Sequence, residues 1–253
     1  MEQFKLCVEP TIPDEVMEEM RLHAIQENPE NAPQFDPDDP LEGASETKWL
    51  WRNGKTITVR FLEGDPAVHK RIEPIAHEWS QYANITFKFV KRSRADIRIS
   101  FDPKGGSWSH LGVRATSLWL WGKPSMNYGW LTPDTEEREY RRVVLHEFGH
   151  ALALVHEHHS PAATIPWDEE KVYEYFKRTN NWDREQTRFQ VLNRVKADAF
   201  TRFDRDSIML YAFPAELTRD GSSTPWNTEL SEMDKEFISQ LYPGRQWQKS
   251  IGG

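Results

Sequence analysis

The sequence predicts an α+β protein in which a strand-rich N-terminal part precedes helices and turns. Three observations predict it. Short alternating runs rich in β-branched residues lie between residues 55 and 130. An apolar helical pattern, Val143 to Leu154, follows them. Beyond it the alternation is gone and helix-start and turn signals dominate. A chain of 253 residues can bury a sizeable core. It divides into an N-terminal extension, 1–45, and a main unit, 46–253, with an upper lobe to about residue 156 and a lower lobe from about 157.

Thr11 to Asn28 suits one helix: Pro13 fits a first turn, and Val16, Met20 and Ile25 give a partial apolar face. Residues 28–40 are proline-rich and acidic and read as a linker or extended strap. Residues 55–62, 86–90, 96–101 and 125–130 read as strands. Asp65-Pro66-Ala67 opens a helix through about Ala83. Gly105 to Gly112 is a glycine-bounded loop or edge strand. Asp134 or Thr135 is placed to cap the helix carrying Val143–Leu154. Asp168–Lys177 and Asp183–Leu192 read as short helices, the second with a capping box at Asp183 and Gln186. Residues 204–211 form a turn, and Ser231–Leu241 is a last helix.

Composition excludes several partners. Net charge is −8 with no long basic run, so neither nucleic acid nor an anionic membrane is expected. Most of the eleven tryptophans should line a core or cleft. Cys7 is the one cysteine, so no intrachain disulfide holds the fold. There is no apolar signal core and no segment of transmembrane length. The expectation is a soluble monomer, cytoplasmic or exported by a non-classical route.

The apolar helix carries the chemistry. It contains His146-Glu147-Phe148-Gly149-His150, with a further histidine at 156. Residues four apart on a helix are offset by about 40° and about 6 Å, so His146 and His150 can reach one ion. Zinc takes two such nitrogens plus a third protein ligand and leaves a position for water. Glu147 is placed to act as base toward that water. His156 completes the set only if the chain turns back after His150, since a continuing helix would carry it roughly 9 Å along the axis.

These residues resemble the metzincin zinc endopeptidases, whose pattern is H-E-x-x-H-x-x-G-x-x-H followed later by a methionine turn. Ser207-Ile208-Met209-Leu210-Tyr211 suits that turn, and its form is similar to the astacin branch. Glu157 directly after the third histidine is another astacin-like feature. Residues 106–112 look like the astacin segment before the edge strand, with Ser107 where astacins have a disulfide cysteine. The last helix is similar to that of matrix metalloproteinases (matrixins). The resemblance covers about 48–243.

The resemblance implies a zincin-like fold: a twisted, mostly parallel five-stranded sheet with the active-site helix, and a smaller, mainly helical C-terminal lobe. It implies zinc on His146, His150 and His156, with Glu147 as general base. Tyr211 would bind zinc at rest and swing to stabilise the oxyanion, and Met209 would pack beneath the site. A protein or peptide substrate would lie antiparallel to an edge strand near 107–120. Two alternatives stay open: a zinc hydrolase of non-peptide amides, and a zinc-stabilised binding module without turnover.

The chain departs from the family at Ala153, where the pattern has glycine. Either alanine takes a left-handed conformation at a cost of about 1–2 kcal/mol, or the turn shifts by a residue. His158 and His159 read as solvent-facing or as neighbours of the ligands. His69, His77 and His110 have no evident partner. In some metzincins an N-terminal cysteine blocks the zinc, and residues 1–45 could be such a pro-segment. The simpler expectation for Cys7 is an incidental residue in a flexible arm.

Overall fold

A computed structural model describes residues 5–33, 48–92, 94–195 and 201–245. The alternating runs form five strands: β1 Thr56–Phe61, β2 Thr86–Phe89, β3 Ile97–Ser100, β4 Ser107–Ser109 and β5 Met126–Tyr128. Their order is β2-β1-β3-β5-β4. All pairings are parallel except β4 against β5, which leaves β4 as an antiparallel edge. The expected edge strand over 107–120 is thus only its first part. Past His110 the chain makes 3-10 turns at Gly112–Thr116 and Leu118–Leu120.

Among the described residues six α-helices complete the order: α1 Asp14–Glu27, α2 Pro66–Ala76, α3 Glu137–Ala151, α4 Glu169–Asn180, α5 Arg184–Thr187 and α6 Glu232–Leu241. α2 ends a turn or more before Ala83. Pro74 lies in its last turn, where it has no N–H to donate and crowds the preceding turn. α3 starts after Glu136, with no side-chain cap; the Thr135 hydroxyl instead accepts from Thr132 N. α4 runs past Lys177 to Asn180 and stops on left-handed Asn181. Asp183 accepts from Gln186 N as a cap should, but 183–192 splits into α5 and a π turn, Arg188–Leu192. Of the acidic strap, residues 28–33 are described and 34–40 lie outside the described residues.

Two apolar cores follow. The larger joins the inward residues of the sheet (Ile57, Val59, Ile97 and Ile99) to α2 and α3. The smaller gathers Val172, Phe176, Val191, Tyr211, Phe213 and, from the N-terminal segment, Leu6 and Cys7. Among the described residues no helix is long and apolar enough to cross a membrane. His69 stacks on Phe61 at 4.0 Å between ring centroids, and His77 meets the edge of Phe89, so both histidines have aromatic neighbours.

Candidate active site

α3 is buried along its second half, and aromatic donors fix its C-terminal carbonyls. Trp79 Nε1 donates to Leu145 O, Trp51 Nε1 to Ala151 O, and the Tyr242 hydroxyl to Leu152 O. The helix then closes in a Schellman turn: Ala153 N bonds His150 O at 2.8 Å and Leu154 N bonds Gly149 O at 3.0 Å. Ala153 sits at φ 72, so the chain accepts the left-handed alanine and the turn is not shifted. That reversal brings His156 back beside the helix it has just left.

The imidazoles have defined tautomers. His146 Nδ1 lies 2.8 Å from Ile208 O, and His150 Nδ1 lies 2.8 Å from Leu154 O. Each carbonyl accepts a proton from Nδ1, so both Nε2 atoms are bare acceptors. His156 is the exception: its Nδ1 faces Glu9 Oε1 at 3.2 Å, and its Nε2 lies 2.7 Å from the Tyr211 hydroxyl. His150 Nε2 and His156 Nε2 are 3.0 Å apart. At that distance the two nitrogens share a proton in an N–H···N bond or face a common cation. Nε2 of His146 is buried with no hydrogen-bond partner. Zinc–imidazole bonds of about 2.0–2.1 Å in a tetrahedron separate nitrogens by roughly 3.3 Å, so the set fits a small divalent ion. Burial pushes His146, His150 (to about 3) and His156 down, which keeps them neutral and able to ligate.

Glu147 is fully buried beside them. Burial raises it to about 8, against the Cys7 thiol hydrogen bond and Arg142, which lower it. Its Oε2 accepts from Cys7 Sγ at 3.4 Å, while Oε1 has no partner. Met209 packs under the helix at Gly149, where an added Cβ would come within 2.4 Å of the Met209 sulfur. The methionine turn is held from α6: Asp234 accepts from Ser207 Oγ and Ile208 N, while Ser231 and Asp234 form the α6 capping box. Tyr211 reaches the same centre. Its hydroxyl lies 2.7 Å from His156 Nε2 and donates to the Cys7 carbonyl.

Cys7 is therefore not an incidental residue in a loose arm. It is buried, and its Sγ lies within 4.8 Å of the ligand nitrogens of His146, His150 and His156. Its segment pairs with the sheet edge: Cys7 bridges Ser107 in parallel sense, and Val8 N donates to Ser107 O at 3.0 Å. Burial first, then the Glu147 carboxylate, pushes the Cys7 thiol well up. A cation in the histidine set would invert that balance, since a coordinating thiol is deprotonated.

His158 and His159 are not solvent-facing. Both are buried; the His158 ring stacks against His156 at 5.1 Å, and His159 Nδ1 lies 3.7 Å from Glu9 Oε1. His110 is buried against the edge of Trp108, and burial lowers it to about 3. Glu9 and Gln190 are contributors that sequence reasoning missed. The spacing Cys7-Val8-Glu9 was a usable signal for the first, whereas nothing local marked Gln190.

The model of the astacin peptidase family matches residues 43–240. A solved structure of myroilysin superposes with a TM-score of 0.75 at 39% identity, covering 78% of this chain and 96% of that one. A crystal structure of myroilysin gives 0.60 at 39% identity, over 78% of this chain and 86% of that one. High choriolytic enzyme 1, a hatching enzyme zinc-protease from Oryzias latipes, gives 0.53 at 18% identity over 77% and 94%, a likeness of fold. Interstitial collagenase of Bos taurus is 29% identical over 126 residues, 43% of this chain and 26% of the collagenase; the chain spans about a quarter of that relative. A family match over most of its length makes the chain a member of the astacin family of peptidases, and a zinc metalloendopeptidase of metzincin fold.

Proposed function

We propose that the protein hydrolyses internal peptide bonds with His146, His150 and His156 holding zinc, Glu147 as general base and Tyr211 as oxyanion donor, and that the conformation described here is latent. One observation carries the reading: ring nitrogens of three buried histidines converge beside a buried, half-satisfied carboxylate, at the edge of a sheet already paired with a peptide. Bound zinc would supply a Lewis-acid charge that polarises the scissile carbonyl and acidifies a water. Glu147 takes the proton of the attacking water and delivers it to the leaving nitrogen. The Tyr211 hydroxyl already donates to a peptide carbonyl in the cleft, that of Cys7. The same donor suits a carbonyl oxygen that gains charge.

Latency follows from direction. A substrate pairs antiparallel to β4, whereas the segment around Cys7 runs parallel to it. The reversed segment offers a thiol, not a scissile carbonyl, to the histidines. With zinc bound, Cys7 would hold it together with His146, His150 and His156, leaving no position for a water. Residues 1–45 thereby act as an inhibitory segment.

The test uses the full chain carrying Cys7→Ala, with metal analysis and casein hydrolysis measured before and after a chelator. Zinc content and hydrolysis should vanish together. Adding Glu147→Gln should keep the metal and slow turnover by about 10²–10⁴-fold. Hydrolysis by that variant at the parent rate would overturn the assigned base. Zinc bound without cleavage of casein or a peptide library would favour the non-peptide hydrolase or the binding module.

A further inference from the structure

We infer that Gln190 is a substrate-binding residue, a side-chain clamp on the peptide backbone that forms the wall of the cleft opposite β4. The inference rests on the reading that peptides bind along β4. Gln190 Oε1 accepts from Glu9 N at 3.0 Å, and Gln190 Nε2 donates to Glu9 O at 3.0 Å. One amide thus pairs with both backbone groups of one residue, as a neighbouring strand would. The side chain is 2% exposed although its partners belong to the segment in the cleft. An open cleft of about 550 Å³ continues from this point between Trp108 and Phe189.

The placement is built, not incidental. Gln190 lies in the π turn Arg188–Leu192, a local widening of the helix often found at functional sites. Its main-chain carbonyl lies 3.3 Å from His158 Nε2, and His158 stacks on His156. The clamp is therefore referenced to the histidine cluster. The segment is paired on both sides: Ser107 O receives Val8 N, and Gln190 receives the next residue. When the segment leaves, the Gln190 amide loses both partners and faces the open cleft with its donor and acceptor free for another backbone. A fixed amide with both groups presented to the cleft can hydrogen-bond a peptide backbone without first being ordered.

The same side chain serves both directions of chain. In a peptide running the other way, the N–H and C=O of the matching residue exchange places along the cleft. Turning the amide by about 180° about its last torsion exchanges Oε1 and Nε2 to match. The backbone of β4 has no such freedom. Glu9 stands two residues after Cys7 in a segment parallel to β4. An antiparallel substrate fills that place with a residue on the N-terminal side of its cleaved bond.

The experiment compares peptides carrying single N-methyl groups along the residues N-terminal to the cleaved bond. It uses the full chain carrying Cys7→Ala, with and without Gln190→Met. Each peptide's kcat/KM is divided by that of the unmethylated parent in the same variant, so competition from the chain's own segment cancels. The expected result is one position where N-methylation costs about tenfold or more, a cost that disappears with Gln190→Met while losses at β4-paired positions remain. The unmethylated peptide should lose through KM, with kcat kept. An unchanged penalty profile in Gln190→Met overturns the clamp. If Gln190→Met fails to fold, Gln190→Glu replaces the donor by a carboxylate oxygen, and the same ratio must shift or the inference falls. A Cys7→Ala chain that cleaves no peptide at all overturns the reading beneath it, and that outcome is separate from an unchanged profile.

Discussion

The centre has two halves that are held in different ways. His146, Glu147 and His150 come from one helix, buried against the larger core and fixed by Trp79 and Trp51 at its carbonyls. His156, Tyr211 and Cys7 come from three segments that share no regular element. Each of these is placed by its own device: a chain reversal at Ala153, a turn clamped by Asp234, and an edge pairing with Ser107. The helical half is a consequence of geometry within a few residues. The assembled half depends on backbone hydrogen bonds made far away in sequence. Metal affinity and latency can therefore be altered separately, because the parts that govern them are anchored separately.

The largest effect should come from the anchor that joins the halves. Asp234 accepts from Ser207 Oγ at 2.7 Å, Ile208 N at 2.8 Å and Ser231 N at 3.0 Å. Ile208 in turn offers its carbonyl to His146. Asp234→Ala would leave buried donors unmade and empty the space beneath the turn. It should cost about 3 kcal/mol of stability and lower zinc retention with it. Denaturant unfolding with parallel metal analysis measures both. A loss well under about 1 kcal/mol would mean that the methionine turn holds itself without α6.

Cys7→Ala should separate latency from metal binding. It removes the contact to Glu147 and the sulfur beside the histidines, but leaves the pairing of Val8 and Glu9. We expect casein hydrolysis by the full chain to rise about tenfold, the equivalent of one contact worth about 1.4 kcal/mol. Zinc content should hold, since three imidazoles suffice for a catalytic site. A measurable rise well under tenfold would assign most of the latency to the backbone pairing.

These two halves also differ in how far they were legible. The helical half could be written from spacing, and so could β1 and β3, because period and turn chemistry act over a few residues. The left-handed turn was legible as a choice between two outcomes, since the sequence departs from glycine there without saying which strain is borne. Cys7 was visible as a lone cysteine, but its burial comes from pairing with Ser107, far along the chain. His158 and His159 read as solvent-facing or as neighbours of the ligands, because nothing local shows Tyr211 and Phe213 packing on His158. Gln190 carried no signal, because its meaning comes from the peptide it faces. Even α2 is shorter than its apolar face implies, since beyond His77 the α-helical bonding gives way to the 3-10 turn Trp79–Gln81.

The smallest expected effect falls on the reversal itself. Ala153 holds φ 72 in the Schellman turn, a conformation that costs an L-residue about 1–2 kcal/mol and costs glycine almost nothing. Glycine also has more freedom to lose on folding, which offsets part of that gain. Ala153→Gly should therefore stabilise the protein by only about 0.5–1 kcal/mol, seen as a raised unfolding midpoint at unchanged slope. The Ala153 side chain packs near Gly112, in the turn that follows β4. If Ala153→Gly raises the midpoint but weakens zinc retention, the alanine is holding His156 in place through that contact. If both rise together, the left-handed alanine is pure strain, and the assembled half of the site tolerates it because its other anchors lie elsewhere.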